Sequence, residues 1–325
     1  MPSVDAVGHV AVIGAGAIGA SWTAFFLSRG LSVSVYDPEP ARAAFVARYI
    51  EDAWPTLEAL GLVAGARRDQ WSFDATLSAA VVDAPFIQEC APDDFGLKRQ
   101  LFATLDELVL PAVVVASSTS SLVLSDLQQG LDTADRFVVA HPFNPPHIIP
   151  LVEVVGGRDT RAEVVSWCVA FFERLGKTVL RLRKEVPGHV VNRLQAALFQ
   201  EAVWLVREGV AEVADIDRGI SMGPGLRWAL AGPFLTFHLG AQDKGIRGYL
   251  HHLGPAHQRM WQDLQRVEQL TPELVDAIAR GVEVETDGLS VAALTARRDR
   301  LLIQLIRLTS ETIVDASLVV RKPLN

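Results

Sequence analysis

A chain of 325 residues is long enough for two domains of roughly 100 to 200 residues, each able to bury a core of its own. Half of its residues are hydrophobic and 21% are charged, a composition that excludes a disordered chain. The 30 Lys+Arg against 38 Asp+Glu leave a formal charge of −8, and no run of Lys or Arg appears. Nucleic acid is therefore not expected as a partner, because phosphate-backbone affinity needs clustered cations. No window approaches the roughly 20 uninterrupted apolar residues of a membrane span, and no basic-then-apolar leader pattern opens the chain. No membrane association is expected, and a cytoplasmic location is. Cys90 and Cys168 stand apart, without a CxxC or Cys/His cluster, so neither a disulfide framework nor a metal site is expected.

In chain order, residues 8–13 are short, largely apolar and β-branched, and they stop at a glycine, as a buried parallel strand does. Gly14-Ala15-Gly16-Ala17-Ile18-Gly19 follows at once. Residues 20–27 are apolar enough for a helix packed on a sheet, ending near Arg29-Gly30, a cation and a glycine stop. A second strand over 31–36 ends at Asp37-Pro38 and completes a βαβ unit. Further strands are expected at 84–87, 112–116 and 137–140, with a helix over 95–108. Strands alternating with helices imply a doubly wound, mainly parallel α/β sheet of the Rossmann type. Near Val186-Pro187-Gly188 the texture changes: 192–207 and 297–318 carry a helical apolar period, and strand signals almost vanish. The expected division is an NAD-binding domain over 1–187 and an all-helical domain over 188–325.

The glycine loop gains its weight from context: a strand before, a helix after, and Asp37 at the end of the second strand, 18 residues beyond Gly19. Gly14 permits the tight turn, Gly16 lets backbone approach a pyrophosphate, and Gly19 lets the helix pack closely on the strand. The helix N-terminus, at Ala17 and Ile18, offers unpaired N–H groups to phosphate. Asp37 would accept hydrogen bonds from the adenosine ribose and repel a 2′-phosphate, which favours NAD over NADP. A purely structural strand-to-helix turn is the alternative.

A polar constellation follows. His141, in Ala140-His141-Pro142-Phe143-Asn144-Pro145-Pro146, stands at the carboxyl edge of the sheet, where ligands bind in this fold. Glu153 comes 12 residues later between apolar neighbours. A carboxylate on one ring nitrogen would fix the His tautomer and free the other nitrogen to take a proton from a substrate hydroxyl. Equally, His141 can be a loop-end histidine on backbone and Glu153 an edge-strand charge facing water. The run Ser117-Ser118-Thr119-Ser120-Ser121 can bind a polar substrate or cap the following helix. Asn192 can open its helix or turn toward a ligand.

Taken together, the glycine loop with Asp37, the Ser-Ser-Thr-Ser-Ser segment, His141-Pro142-Phe143-Asn144-Pro145, Pro150-Leu151-Val152-Glu153-Val154-Val155 and Lys184-Glu185-Val186-Pro187-Gly188-His189-Val190-Val191-Asn192-Arg193 resemble the L-3-hydroxyacyl-CoA dehydrogenase superfamily. That resemblance implies a Rossmann domain, a helical substrate-binding and dimerisation domain, a homodimer, and an active site in the cleft between the domains. It casts His141 as the catalytic base and Glu153 as its orienting carboxylate. Ser120 and Asn192 would hold the substrate oxygen, and Ser120 and Asn144 would meet the cofactor. It also places Glu89, Asp93 and Lys98 in the segment approaching the nicotinamide ribose, although Asp93 stands where the family usually has Glu.

Members that use CoA carry a lysine-rich helical segment after the second strand, whereas 41–80 here has no lysine and only Arg67-Arg68 as clustered cations. Met222-Gly223-Pro224-Gly225-Leu226-Arg227-Trp228-Ala229 and Thr236-Phe237-His238-Leu239 are similar to the branch containing L-gulonate 3-dehydrogenase, the lambda-crystallin relatives and carnitine 3-dehydrogenase. The segment 141–155 is closer to the gulonate type. The expectation is NAD-dependent oxidation of a small free 3-hydroxy acid. A free carboxylate needs a cation, and Arg227 can grip both oxygens in a bidentate pair, or be spent on an ion pair within the helical domain. The rival readings are a 3-hydroxyacyl-CoA dehydrogenase and a non-catalytic, crystallin-like NAD-binding protein.

Overall fold

The computed structural model describes residues 1–309. Packing divides the chain into a unit over Met1–Arg193 and a second from Leu194 onward, six residues beyond the division expected at 187/188.

The first unit is built on eight strands: β1 (His9–Ile13), β2 (Ser32–Tyr36), β3 (Trp71–Phe73), β4 (Phe86–Glu89), β5 (Val114–Ser117), β6 (Phe137–Pro142), β7 (Leu151–Gly156) and β8 (Thr178–Arg181). They form one sheet in the order β3-β2-β1-β4-β5-β6-β7-β8. Every neighbouring pair is parallel except β6 and β7, which run antiparallel. The helices are α1 (Ala17–Ser28), α2 (Arg42–Leu60), α3 (Leu77–Val81), α4 (Phe95–Leu108), α5 (Leu124–Leu127) and α6 (Ala162–Arg174).

Period-two alternation feeds two cores from each strand. Val10 and Val12 of β1 point into one cluster with Trp22, Phe26, Phe86, Phe171 and Phe172, while Ala11 and Ile13 point into the other with Phe102, Leu105, Leu124 and Phe137. In the first cluster Trp22 stacks on Phe26 at 5.2 Å, and Phe86 meets Phe171 at 4.4 Å between ring centroids. Truncating one of these rings to alanine costs about 3–5 kcal/mol by transfer and cavity formation. The edge strands β3 and β8 are three and four residues long and contain no buried residue, which is why no apolar run announces them.

Among the described residues the second unit has no strand, as expected. Its helices are α7 (Val191–Arg207, beginning within the first unit), α8 (Val213–Met222), α9 (Pro224–Trp228), α10 (Pro233–Gly240), α11 (Gly245–Asp263), α12 (Pro272–Thr286) and α13 (Val291–Thr309). Of the helix expected over 297–318, residues 310–318 lie outside the described residues. No helix among those described is long and apolar enough to cross a membrane.

Candidate active site

The loop from β1 to α1 depends on its glycines. Gly14 has φ +99°, and a Cβ there would sit 2.7 Å from the carbonyl group of Cys90. A Cβ on Gly19 would fall 1.8 Å from the Gly14 carbonyl oxygen, so strand and helix pack too closely for any side chain. Gly16 is different, since a Cβ there meets nothing within 4 Å. That glycine borders open space, beside a helix N-terminus with no side-chain cap and with Ala17 exposed. Unpartnered N–H groups beside a side-chain-free backbone are what a pyrophosphate requires. Asp37, at the carboxyl end of β2, braces the loop by accepting from Ala15 N–H at 2.8 Å and Glu39 N–H at 3.0 Å, with lone pairs left for ribose hydroxyls. The residues present thus fit a dinucleotide.

Beside this loop, the Glu89–Lys98 pair is wholly buried. Lys98 Nζ donates to both Glu89 oxygens at 2.7 and 2.9 Å and to the Ala91 carbonyl at 2.9 Å. Glu89 also accepts from Ala91 N–H at 2.6 Å and from Ser117 Oγ at 2.5 Å. With four hydrogen bonds from three donor groups on its two oxygens, Glu89 is fully engaged within the protein. Glu89 and Lys98, expected in the segment approaching the nicotinamide ribose, are thus bonded to each other and to the backbone beneath the loop. Asp93 is the member of the trio that remains partly open. It takes Ser120 N–H at 2.8 Å and Ser120 Oγ at 2.7 Å. Burial would raise its carboxyl, but the Thr119 and Ser120 hydrogen bonds and the Lys98 charge outweigh that and hold it below the usual range.

The antiparallel step between β6 and β7 sets His141 directly opposite Glu153. Facing residues of such a pair lie about 5 Å apart at Cβ, close enough for side chains to bond. His141 Nδ1 lies 3.0 Å from Glu153 Oε2, and Glu153 is fully buried rather than facing water. A carboxylate only accepts, so Nδ1 carries the proton and Nε2 keeps a lone pair, which no described residue engages. The other Glu153 oxygen accepts from the backbone amides of Val190 and Val191, both at 3.0 Å. Burial opposes the Glu153 charge, but the His141 bond and the two amides prevail and hold its carboxyl below the ordinary range. Asn192 Nδ2 donates to the Ser120 carbonyl oxygen at 3.3 Å, tying the start of α7 to the serine run. Asn144 is exposed at the tip of the loop after β6. Behind that tip, the Ser21 hydroxyl of α1 accepts from His147 N–H at 3.0 Å, and Lys177 Nζ donates to the Ile149 carbonyl at 2.9 Å.

No hydroxyl of the serine run caps α5, whose N-cap is Val123. Glu185 does that work from 60 residues away, accepting from Ser125 N–H at 2.9 Å. Arg227, on α9 in the second unit, is exposed and makes no ion pair or side-chain hydrogen bond among the described residues. The paired amides on Glu153 and the buried ring of His189 were missed by sequence reasoning. Backbone donors leave no composition signal, and a lone histidine next to Val-Val was the sole hint.

The profile of the 3-hydroxyacyl-CoA dehydrogenase NAD binding domain matches residues 9–186, and that of the 3-hydroxyacyl-CoA dehydrogenase C-terminal domain matches 188–281. The L-carnitine dehydrogenase of Streptomyces coelicolor is 47% identical over 309 residues, 95% of this chain and 97% of that protein. The L-carnitine dehydrogenase of Bacillus cereus is 42% identical over 304 residues, 94% and 93% respectively. A solved 5-formyl-3-hydroxy-2-methylpyridine 4-carboxylic acid 5-dehydrogenase, described as an NAD+-dependent dismutase, superposes with a TM-score of 0.81 at 27% identity, covering 94% of this chain and 99% of that one. NAD is the cofactor of this enzyme, an oxidoreductase acting on CH–OH groups. With two matched domains that together exceed half its length, and full-length relatives above 40% identity, the chain belongs to the 3-hydroxyacyl-CoA dehydrogenase superfamily.

Proposed function

We propose that the enzyme oxidises the 3-hydroxyl of carnitine, or of a closely similar small free 3-hydroxy acid, to the ketone. The observation that carries this reading is the buried His141–Glu153 pair, with Nδ1 committed to the carboxylate and Nε2 left as a base. NAD, when bound, supplies a two-electron acceptor. His141 Nε2 takes the hydroxyl proton as hydride leaves C3, and the imidazolium is stabilised by Glu153, whose own charge is held by two backbone amides. Ser120 and Asn192 orient the substrate oxygen. Gly14, Gly16, Ala17, Ile18, Gly19 and Asp37 would hold the dinucleotide, with Asp93 and Asn144 as its further contacts.

Three observations favour a free acid over a CoA thioester. The relatives just described carry the carnitine name, and this supports the carnitine type over the gulonate type. The cations of 41–80 are each matched by a carboxylate: Arg42 by Glu39, Arg48 by Asp52, Arg67 by Asp69 and Arg68 by Glu51. Arg227 has no such partner among the described residues, so its guanidinium is free to grip a substrate carboxylate. Residues 1–187 serve as the NAD-binding domain and 188–325 as the substrate-binding and dimerisation domain. A homodimer through the helices is supported by large apolar side chains left in solvent, Phe234 at 81% and Trp261 at 62% exposure. Two unpaired thiols accord with a cytoplasmic location.

An NADH-formation screen over carnitine, 3-hydroxybutyrate, L-gulonate and L-3-hydroxybutyryl-CoA tests the reading. The expected result is the highest kcat/KM on carnitine. A preference for the thioester would overturn it.

A further inference from the structure

We propose that His189, which no part of the reaction scheme above uses, is the positioning residue that sets the serine run and the His141–Glu153 pair against each other. Its imidazole is 2% exposed and its ring centroid lies 5.1 Å from that of His141. Nε2 is 2.9 Å from the Thr119 carbonyl oxygen, which can only accept, so Nε2 donates and Nδ1 is left as a buried lone pair with no partner. Protonating Nδ1 would place a charge where nothing accepts it. Burial accordingly pushes the His189 pKa down, and the nearby His141 adds to that.

The backbone of His189 matters as much as its ring. Gly188 has φ +75° and His189 φ +52°, two successive left-handed residues of which only the first is free to be so at no cost. A strained non-glycine position persists where its surroundings over-determine it, and here they do. The turn brings the next two amides, of Val190 and Val191, onto Glu153 Oε1. The residue after those, Asn192, reaches the Ser120 carbonyl. Four consecutive residues thus contact Thr119, Glu153 and Ser120, and His189 is the one whose side chain and backbone both take part. Loss of its donor would let the run 117–121 drift from His141, and proton transfer is steep in that distance.

The inference rests on the dehydrogenase reading and is tested by variants that share the backbone penalty but differ in the donor. His189→Phe keeps the bulk without a donor, and His189→Gln restores an N–H near the Nε2 position. Expected are a kcat roughly 10-fold lower for His189→Phe, an unchanged Kd for NAD, and recovery to within about threefold for His189→Gln. Should His189→Phe fail to fold, His189→Gly, which suits the left-handed backbone, serves as the donorless variant. A readout independent of turnover is the proton NMR signal of the His141 Nδ1–H bound to Glu153, identified by its loss in His141→Gln. It should broaden in the donorless variant and stay sharp in His189→Gln. Wild-type kcat and an unaltered signal in the donorless variant would overturn the positioning role, as would equal losses in both variants. If the wild type turns over no free hydroxy acid while the signal still responds to His189, the substrate reading fails and the positioning role stands.

Discussion

The sheet unit takes Trp22, Phe26, Phe86, Phe171 and Phe172 fully out of solvent, whereas the helical unit leaves Phe199, Phe234 and Trp261 more than half exposed. Among the described residues, the buried apolar side chains of the helical unit are Val203, Ala231 and Leu274. Helix pairs there have apolar stripes but few neighbours deep enough to cover them. A sheet with helices on both faces closes its own core, but a set of short helices does so only with more surface to bury against. The proposed proton chemistry follows the same division. His141, Glu153, Ser120 and Asn192 all lie within the first unit, while Arg227, without an ion pair among the described residues, lies in the other. On the proposed reading, catalysis belongs to the sheet unit, and substrate choice and association to the helical one.

The hardest blow to that comparison would come at His141. His141→Gln should lower kcat by about 10³-fold with NAD affinity near wild type, since a general base is worth 10² to 10⁴. Retained turnover, measured by NADH formation, would mean that the proton leaves by another route and that the sheet unit is not the seat of the chemistry. Next in size is association. Phe199→Glu combined with Phe234→Glu should convert a dimer to a monomer in sedimentation, because a charge on each protomer's apolar face is buried unpaired when the faces meet. A wild type that sediments as a monomer at micromolar concentration would remove the need for a second copy.

The division of labour is sharpened by two milder changes. Arg227→Met should raise KM for the free acid roughly 10- to 100-fold, the equivalent of one charged hydrogen-bonded pair, and leave the Kd for NAD alone. An equal loss on acid and thioester would sink the carboxylate role. Asp37→Ser should shift the NAD over NADP preference by about 10-fold through the lost repulsion of a 2′-phosphate. An unmoved preference would leave Asp37 as a brace for Ala15 and Glu39 only.

The same contrast explains what the amino-acid sequence disclosed. Residues 8–37 announced a strand, turn, strand and acidic end because each step uses a residue type with one cheap conformation: β-branched runs, then glycines where a Cβ would collide. Helix 95–108 appeared as expected because Asp94 caps it and its apolar face keeps a regular period. His141 and Glu153 were legible as a candidate pair, with a loop-end histidine and a water-facing carboxylate as the rival reading, and the register that decides it needs β7 to reverse direction opposite β6. Glu89 was assigned through the family resemblance alone, and its pairing with a buried lysine nine residues on left no mark in the residue pattern. His189 was passed over because its role is set by a carbonyl 70 residues away and by its own left-handed backbone. In the helical unit the period revealed helices, but an apolar stripe alone does not say what covers it.

The smallest expected effect concerns stability against acid, and it separates two groups of the same centre. The His189 pKa is lowered from 6.5 by burial first, then by His141, against the opposing pull of the Thr119 carbonyl, Glu153 and Asp93. Below that ordinary value the unfolded chain binds a proton that the folded ring refuses, so stability rises with pH there and is lost as pH falls from about 6.5 toward the folded value. Glu153 is a lowered acid, and its contribution is complete above 4.5 and lost as pH falls through its folded value. Both slopes have the same sign, but the windows are stacked, histidine above carboxylate. His9, also lowered chiefly by burial, adds to the upper window. Denaturant midpoints across the range should therefore show His189→Gln losing less stability than wild type as pH falls from about 6.5 toward the folded His189 value, and declining in parallel with it below that. A parallel decline across both windows would mean that His189 enters the folded state already charged, and the single-proton arrangement of the two imidazoles would have to be abandoned.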